Sequence, residues 1–343
     1  MTFDPYNILV IDFGQLGDVV MSLPALRAVR EKFPRARITI AVGKSAAEII
    51  RMSGYADETI EVDRVALRDG FKLLSVLKVC QVAQDVRRRQ FDFVIDLHSF
   101  AETNLLGFFS GASKRLFSRR RGRSLDFLAN FKPAPPVEED NRERHQVDRY
   151  LDVLLPLGIV DAARVPRLAT TFDDDREIDK LLRKSKAEAG ALLVGLFPGA
   201  GHESRRWPLE LFAQLADSLL RNDGVRPVVF AGPEERALIP QMRSLFPAST
   251  VILDQLTMRQ LASAQARLAV FVSNDTGPVH VAAAVGVPIV LLLDSRAPDS
   301  YFPLSESRRT IYGAPIAKIP VEEVYDATRA LLAAGRVETL FAS

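Results

Sequence analysis

The chain has 343 residues, of which 48% are hydrophobic and 26% charged, and its formal net charge at pH 7 is +2. This length predicts two domains with full hydrophobic cores, and the composition excludes an intrinsically disordered protein. The small net charge excludes a strongly basic nucleic-acid binder. A single cysteine, Cys80, excludes an intrachain disulfide framework and favours a reducing compartment.

The N-terminus lacks the basic and apolar regions of an export signal. The longest apolar runs, such as residues 287–293, fall short of the roughly 20 residues that span a bilayer. We therefore expect a cytoplasmic protein, an expectation that is compatible with contact at a membrane surface.

Predicted strands alternate with predicted helices along the chain. Short, nearly continuous apolar segments indicate strands at residues 8–11, 38–42, 93–95, 192–197, 228–231, 268–272 and 289–292. Helical patterns cover residues 18–32, 208–220 and 321–334 and also begin near Glu234 and Gly277. Apolar strands separated by helices are typical of parallel sheets covered on both faces. We predict an α/β fold with two doubly wound domains joined around residues 161–179, and functional loops at the carboxyl ends of the strands, facing a cleft.

The first candidate functional loop joins the first predicted strand to its helix. Gly14 and Gly17 let the backbone turn sharply and approach a ligand closely, and Asp18 follows at the helix start. Asp18 is either a residue that stabilises the helix N-terminus or a catalytic base, and the motif alone leaves both interpretations open.

The second loop covers residues 198–208. Its small residues leave backbone N–H groups accessible, and two arginines precede a helix start, a combination that suits phosphate oxygens. These residues are Gly199, Ala200, Gly201, Arg205 and Arg206. The alternative is an exposed loop with solvated arginines. We interpret Trp207 as a structural residue.

The third loop is the most specific and opens a predicted helix rich in alanine. Thr276, Gly277 and Pro278 suit a helix start, where free N–H groups at the positive end of the helix dipole bind a diphosphate. Asp275 is either a helix cap or a functional carboxylate. His280 is either a packed core histidine or a functional one.

The residues predict no metal site and no cofactor. The four histidines show no ligand spacing, and one cysteine cannot build a thiolate site. We interpret the acidic run at residues 173–175 as solvated capping residues. The glycines of the second loop begin an imperfect dinucleotide fingerprint, but no residues for hydride transfer accompany it, so an oxidoreductase is a distant alternative.

Residues 114–123 form a basic run, with Phe127, Phe131 and Lys132 beyond it. The run is either a solvated loop, a surface for a phosphorylated glycolipid at a membrane, or a nucleic-acid-binding surface. Because aromatic residues are interleaved and no nucleic-acid recognition fold accompanies the run, we predict peripheral binding to the cytoplasmic face of an anionic inner membrane, and no nucleic-acid partner.

Several motifs in consistent order resemble glycosyltransferase family 9, the lipopolysaccharide heptosyltransferases, and the similarity spans almost the whole chain. These motifs lie at residues 17–27, 91–97, 206–208, 232–236 and 275–280. The resemblance implies a GT-B fold with two Rossmann-like domains. We expect an acceptor-binding domain at residues 1–165, a donor-binding domain at residues 180–315, and a helix at residues 321–334 that packs back on the first domain.

The resemblance also implies an inverting transfer of heptose from ADP-heptose to a lipopolysaccharide core acceptor. The residue matching Asp18 is the family's proposed base, and we expect Arg205 to stabilise the departing diphosphate. The expected donor contacts are Gly199, Ala200, Gly201, Arg205, Glu235, Asp275, Thr276, Gly277 and His280. The expected acceptor contacts are Gly17, His98, Arg119 and Arg120.

The chain departs from the family pattern at Asp12, where a basic residue is usual, and at Arg205, where a lysine is common. Three alternatives therefore stay open. They are a family member with another nucleotide sugar or acceptor, a sugar-nucleotide epimerase of GT-B fold, and a non-catalytic nucleotide-sugar-binding protein. The presence of Asp18 disfavours the last of these.

Overall fold

The computed structural model describes residues 3–63, 72–138, 144–184, 192–295 and 298–341. The chain divides into two compact units. The N-terminal unit comprises Met1–Pro166 with Asp299–Tyr301, and the C-terminal unit comprises Arg167–Pro298 with Phe302–Ser343. Each unit is built around a parallel sheet with helices, which is the predicted α/β architecture.

The sheet of the N-terminal unit has five parallel strands in the order β3-β2-β1-β4-β5. The strands are β1 (Asn7–Asp12), β2 (Arg37–Gly43), β3 (Glu58–Val62), β4 (Phe93–Asp96) and β5 (Lys114–Phe117). Residues 8–11 of β1 are completely buried, because the central strand of a parallel sheet is covered on both faces. Two short strands, β6 (Arg119–Arg120) and β7 (Val137–Glu138), pair separately.

Five α-helices of the N-terminal unit lie in the described part of the chain. They are α1 (Leu16–Lys32), α2 (Ala47–Ser53), α3 (Lys72–Arg88), α4 (Ala101–Phe109) and α5 (Gln146–Asp152). Helix α1 begins directly after the loop that follows β1, and it contacts α5. This arrangement places the start of α1 beside the carboxyl end of the central strand.

The sheet of the C-terminal unit has six parallel strands in the order β10-β9-β8-β11-β12-β13. The strands are β8 (Leu193–Phe197), β9 (Arg226–Phe230), β10 (Val251–Leu253), β11 (Val270–Asn274), β12 (Ile289–Asp294) and β13 (Arg308–Gly313). The described helices are α6 (Phe172–Lys184), α7 (Leu209–Asp223), α8 (Ile239–Leu245), α9 (Met258–Gln265), α10 (Gly277–Ala284) and α11 (Val321–Phe341).

Two features of the C-terminal unit differ from the sequence-based predictions. Helix α6 begins at Phe172, inside the segment predicted to join the domains, because its acidic first turn interrupts the apolar pattern only locally. Helix α11 was expected to pack on the N-terminal domain. Its described side chains Val324, Leu331 and Leu332 belong instead to the core of the C-terminal unit, where the helix contacts α7.

Both sheets reverse their strand order at one point, between β1 and β4 in the N-terminal unit and between β8 and β11 in the C-terminal unit. In open parallel sheets, ligands bind outside the carboxyl ends of the strands at such a switch point. The loops predicted to carry chemistry follow β1, β8 and β11, so all three lie at these edges.

Candidate functional site

Three side chains meet around Gly14, at the switch point of the N-terminal unit. A Cβ atom placed on Gly14 would lie 2.5 Å from the Cβ of Asp18, 3.1 Å from Oδ1 of Asp12 and 3.1 Å from Cε1 of His98. Glycine is therefore required for this close approach. Asp12, Gly14, Asp18 and His98 are called the Gly14 cluster below.

Asp18 lies in the first turn of α1 and is half-buried. Its Oδ2 accepts a hydrogen bond from the backbone N–H of Gln15 at 3.0 Å, so it does stabilise the helix start. Burial nevertheless raises the pKa of Asp18 above its ordinary value; Asp12 raises it further, and His98 and Arg120 oppose the shift. A carboxylate with a raised pKa is a better proton acceptor than an exposed one.

Asp96 fixes the loop that carries His98. Its Oδ1 accepts hydrogen bonds from the backbone N–H groups of His98 at 3.1 Å and Ser99 at 2.8 Å, and its Oδ2 accepts one from the Asn104 side chain at 2.7 Å. Ser99 has a φ of 50°, in the left-handed region, which turns the chain sharply. Asp96 is completely buried, and burial raises its pKa to about 6.

Asp12 and His98 form a buried pair. Asp12 is 0% exposed and His98 is 7% exposed, and Nδ1 of His98 lies 3.2 Å from Oδ1 of Asp12. Burial alone would raise the pKa of Asp12. The hydrogen bond from His98, the charge of its imidazole when that ring is protonated, and a hydrogen bond from the Gly14 N–H together lower the pKa below its ordinary value. The hydroxyl of buried Tyr150 lies 3.5 Å from the same Nδ1.

The two arginines expected to contact the acceptor lie in different surroundings. Arg120 pairs with Glu138 at 2.7 Å, its guanidinium lies 5.5 Å from the ring of Phe100, and its charge acts on Asp18. Arg119 instead pairs with Asp126 at 3.0 Å. The structure thus places Arg120 near the Gly14 cluster and directs Arg119 towards a neighbouring cavity.

This cavity has a volume of about 370 Å³ and is lined by residues of the basic run and of the segment after it, including Arg115, Arg119, Phe127 and Lys132. The basic run is therefore not simply a solvated loop, because β5 and β6 lie within it and two of its arginines are paired.

In the C-terminal unit, Asn274 at the end of β11 joins two of the predicted loops. Its side-chain amide donates to the carbonyl oxygens of Pro198 at 3.0 Å and Gly199 at 3.1 Å, and its Oδ1 accepts from the Trp207 N–H at 3.0 Å. Trp207 is 0% exposed, and its indole N–H donates to the Ile319 carbonyl. These contacts agree with the structural role expected for Trp207.

Glu235 lies directly above Gly199. A Cβ atom on Gly199 would come within 2.2 Å of Oε1 of Glu235, so only glycine leaves room for this carboxylate. The Gly232 N–H donates to Oε2 at 2.9 Å and holds the side chain in place. Burial raises the pKa of Glu235, while the charge of Arg206 opposes the shift.

The loop after β11 presents polar groups at the start of α10. Asp275 is half-buried; burial raises its pKa, and Arg205 opposes the shift, so the charges of these two residues act on each other. Thr276 precedes the helix in an extended conformation, and its hydroxyl makes no capping hydrogen bond. His280, one turn further on, is 6% exposed.

The structure thus gathers the predicted residues at two sheet edges. The functional roles of Asp18, Arg205 and the other predicted contacts stay predictions. The supporting roles of Asn274, Asp96 and Tyr150 were not predicted from the sequence, where Asp12 stood out only as a departure from a family pattern. Among the described residues, no group of three or more His, Cys, Asp or Glu side chains is arranged to hold a metal ion.

Comparisons with known proteins agree with this architecture. A solved glycosyltransferase family 9 protein from Veillonella parvula has a TM-score of 0.85 at 23% identity, covering 97% of this chain and 99% of that one. E. coli heptosyltransferase WaaC with ADP has a TM-score of 0.76 at 18% identity, covering 95% and 99%. These likenesses show the fold, which is GT-B, as predicted.

Sequence comparison identifies the family. Lipopolysaccharide heptosyltransferase 2 of Salmonella typhimurium is 25% identical over 323 residues, covering 89% of this chain and 87% of that protein. The model of glycosyltransferase family 9 (heptosyltransferase) matches residues 79–324, more than two thirds of the chain. The protein is therefore a glycosyltransferase and belongs to glycosyltransferase family 9.

Proposed function

We propose that the protein transfers heptose from ADP-heptose to a lipopolysaccharide core acceptor, with inversion at the anomeric carbon. A relative that matches 89% of the chain is named lipopolysaccharide heptosyltransferase 2, and a solved structure of similar fold is E. coli heptosyltransferase WaaC with ADP. The observation that carries the proposal is Asp18, a half-buried carboxylate of raised pKa at the switch point of the N-terminal unit.

In this reaction Asp18 is the general base. It accepts the proton of the acceptor hydroxyl while that oxygen attacks the anomeric carbon of the heptose. The bond between this carbon and the diphosphate oxygen breaks, the new glycosidic bond forms, and ADP departs with the bonding electron pair. The acceptor contacts that we propose are Gly17 in the same loop, His98, whose Cε1 lies beside the Gly14 cluster, and Arg120, whose charge acts on Asp18.

The C-terminal unit supplies the donor contacts. Arg205 and the N–H groups at the start of α10, at Thr276 and Gly277, stabilise the negative charge that grows on the leaving diphosphate. The small residues of the 198–208 loop allow the phosphates to approach the backbone. Glu235, held by the Gly232 N–H, accepts hydrogen bonds from the ribose hydroxyls.

Substitution of the base tests this function. Asp18→Asn keeps the shape of the side chain but cannot accept the proton, so we expect turnover to fall by about 10² to 10⁴. The measurement is acceptor-dependent release of ADP from ADP-heptose, with a lipopolysaccharide core extract as acceptor. Asp217→Asn, which changes a half-buried carboxylate on α7, serves as the control and should keep full turnover.

Two outcomes would contradict different parts of the proposal. Nearly full turnover by a folded Asp18→Asn protein would remove Asp18 as the base. Turnover of UDP-sugars but not of ADP-heptose would leave the base in place and overturn the donor, in favour of a family member with another nucleotide sugar.

The surface around the cavity of the N-terminal unit supports a second part of the proposal, peripheral binding to an anionic membrane. Four large apolar side chains are exposed on α4 and on the turn at residues 126–128: Leu105 at 40%, Phe108 at 42%, Phe109 at 53% and Phe127 at 78%. The Asn104 side chain accepts a hydrogen bond from the Leu125 N–H at 2.7 Å and so ties α4 to the turn that carries Phe127.

Cations lie beside these apolar side chains. The Arg115 guanidinium lies 5.4 Å from the ring of Phe108, and Lys132 lines the cavity together with Phe127. Apolar side chains bordered by basic ones are the composition expected for the interface of an anionic bilayer. In the described part of the chain, no helix is long and apolar enough to cross a membrane.

Vesicle binding tests this surface. We expect the protein to bind vesicles that contain phosphatidylglycerol more tightly than vesicles of pure phosphatidylcholine, and we expect salt to weaken this binding. Arg121→Glu should reduce the binding by about fivefold or more, because each basic residue near an anionic membrane contributes about 1 kcal/mol. Phe127→Ser should also reduce the binding, because it removes an exposed aromatic side chain. The matched control is Phe172→Ser, which removes an 80% exposed phenylalanine from α6. Equal binding by Phe127→Ser and Phe172→Ser, or insensitivity to salt, would contradict the proposal.

A further inference from the structure

The buried pair of Asp12 and His98 lies beside Asp18, the proposed general base. We infer that Asp12 is a positioning residue that fixes the imidazole of His98 as the Nδ1–H tautomer. The Nε2 atom is thereby left as a hydrogen-bond acceptor, beside Asp18, for a hydroxyl of the acceptor sugar. The inference rests on the proposed function for the identity of this hydroxyl, but the tautomer is independent of it.

The hydrogen bonds of Asp12 indicate where the proton of the pair lies. Asp12 is completely buried; its Oδ1 accepts a hydrogen bond from the Gly14 N–H at 2.9 Å, whereas its Oδ2 has no partner among the described residues. Because Oδ1 already accepts this hydrogen bond, it acts as an acceptor towards the imidazole as well. The proton between Oδ1 of Asp12 and Nδ1 of His98, 3.2 Å apart, therefore resides on Nδ1.

Among the described residues, the other ring nitrogen of His98, Nε2, has no hydrogen-bond partner. It is also not one of the fully buried polar atoms that lack a partner. It therefore keeps access to solvent at the sheet edge. A Cβ atom placed on Gly14 would lie 3.1 Å from Cε1 of His98, the ring carbon bonded to both nitrogens, and 2.5 Å from the Cβ of Asp18. The open nitrogen and the base thus belong to one cluster.

Further contacts hold the imidazole in place. Asp96 accepts a hydrogen bond from the His98 N–H, and the ring of Phe100 is tilted by 46° against the imidazole with a centroid distance of 4.7 Å. The titratable and charged groups around the imidazole are Asp12, Asp18, Asp96, Tyr150 and Arg120. Asp12 is the one whose carboxylate makes a hydrogen-bond contact with the ring. Ring orientation and tautomer are both set before any acceptor binds.

Nitrogen-15 NMR of the imidazole tests the tautomer directly. The chain has four histidines, so the His98 signal can be assigned by its loss in His98→Gln. At about pH 8.5, where an ordinary histidine is neutral, we expect the Nδ1–H form in the wild-type protein. Asp12→Ala should convert His98 mainly to the Nε2–H form, and Asp12→Asn, which keeps an accepting oxygen, should restore the Nδ1–H form. Tyr150→Phe should leave the tautomer unchanged.

Kinetics of transfer provide the second measurement. Asp12→Ala and His98→Ala should each raise KM for the acceptor by about tenfold, the loss of one hydrogen bond, with little change in KM for the donor. The double variant should be no worse than either single variant, because the two residues act as a unit. Asp12→Asn should recover part of the loss.

Three results would overturn the inference: an Nε2–H imidazole in the wild-type protein, the same tautomer in the wild-type and Asp12→Ala proteins, or additive effects in the double variant. The wild-type spectrum decides the point even if Asp12→Ala does not fold. If the protein proved to transfer no heptose, the spectrum would still test the pair, so failure of the proposed function and failure of this inference are distinguishable.

Discussion

At the scale of single residues, Asp96 combines complete burial with a pKa raised to about 6. An aspartate in the unfolded chain titrates near pH 3.9, so between about pH 4 and 6 the folded protein binds more protons than the unfolded one. The contribution of Asp96 to the free energy of unfolding therefore falls as the pH rises through this window, by roughly 3 kcal/mol in total. Asp12, whose pKa is lowered, acts in the opposite sense and only at lower pH.

Denaturant unfolding of the wild-type and Asp96→Asn proteins between pH 4 and 7 measures this contribution. We expect the stability of the wild type relative to Asp96→Asn to fall as the pH rises, because only the wild type carries the titrating carboxyl. A difference that stays constant over this range would show that Asp96 does not titrate there.

Gly199 and Gly201 lie in the same loop, but the space around their Cα atoms differs. Gly199→Ala would place a Cβ atom 2.2 Å from Glu235, whereas a Cβ atom on Gly201 meets nothing within 4 Å. We expect Gly199→Ala to lower the free energy of unfolding by about 1–3 kcal/mol and to weaken ADP binding through displacement of Glu235. Gly201→Ala is the matched control and should change stability by less than about 0.5 kcal/mol. Equal stability of the two variants would refute the close packing of Glu235 on Gly199.

The candidate site could be predicted from the sequence only in part. Asp18 and Asp275 each follow a predicted strand, so strand order and loop position were enough to single them out. The contact between Asp12 and His98 joins residues 86 positions apart, and the contact between His98 and Tyr150 joins residues 52 apart. Neither contact leaves a local pattern, so these supporting residues became visible only in the folded chain.

Among the secondary-structure elements, the strands of the two main sheets that the sequence did not predict are all edge strands. The seven interior strands were predicted, whereas β3, β5, β10 and β13, the edges of these sheets in the described part of the chain, were not. Strands β3, β5 and β13 carry charged residues, as edge strands commonly do to prevent pairing with other chains, and β10 has only three residues. Interior strands give a continuous apolar signal because both of their faces are covered.

A network of ion pairs joins helix α6 to helix α9 and to the turn that follows α9. Arg267 pairs with Asp175 at 2.9 Å and Asp179 at 2.6 Å, and Arg259 pairs with Asp174 at 2.9 Å. The acidic run at residues 173–175 was predicted to consist of solvated capping residues. It does lie in a first helical turn, but two of its three carboxylates are engaged in ion pairs with a second element, which the local sequence does not reveal.

Substitution of Arg267 measures the strength of this network. Its guanidinium also donates to the backbone carbonyl of Asp175 at 2.7 Å, so Arg267→Ala should destabilise the C-terminal unit by about 1–2 kcal/mol after solvent screening is allowed for. Arg221→Ala, which removes an exposed pair within one helix, is the control and should cost less than about 0.5 kcal/mol. Similar losses in the two variants would mean that the network adds nothing to stability beyond an exposed ion pair.

At the scale of the whole molecule, the architecture was the most predictable property. Two repeats of the same alternation, strand then helix, were sufficient to predict two doubly wound units, and both the fold and the family prediction were confirmed. The packing of α11 was not predictable, since an amphipathic helix shows which face it buries but not which unit covers that face. Only the complete contact pattern assigns it to the C-terminal unit.

The burial of Trp207 has an optical consequence. It is the one tryptophan among the 343 residues, and it lies completely buried in the C-terminal unit, where Asn274 binds its backbone next to the loop that carries Arg205. The tryptophan fluorescence of the protein therefore reports on this unit alone. A titration with nucleotide, followed by tryptophan emission, monitors the donor loops without any attached dye, because the N-terminal unit contains no tryptophan.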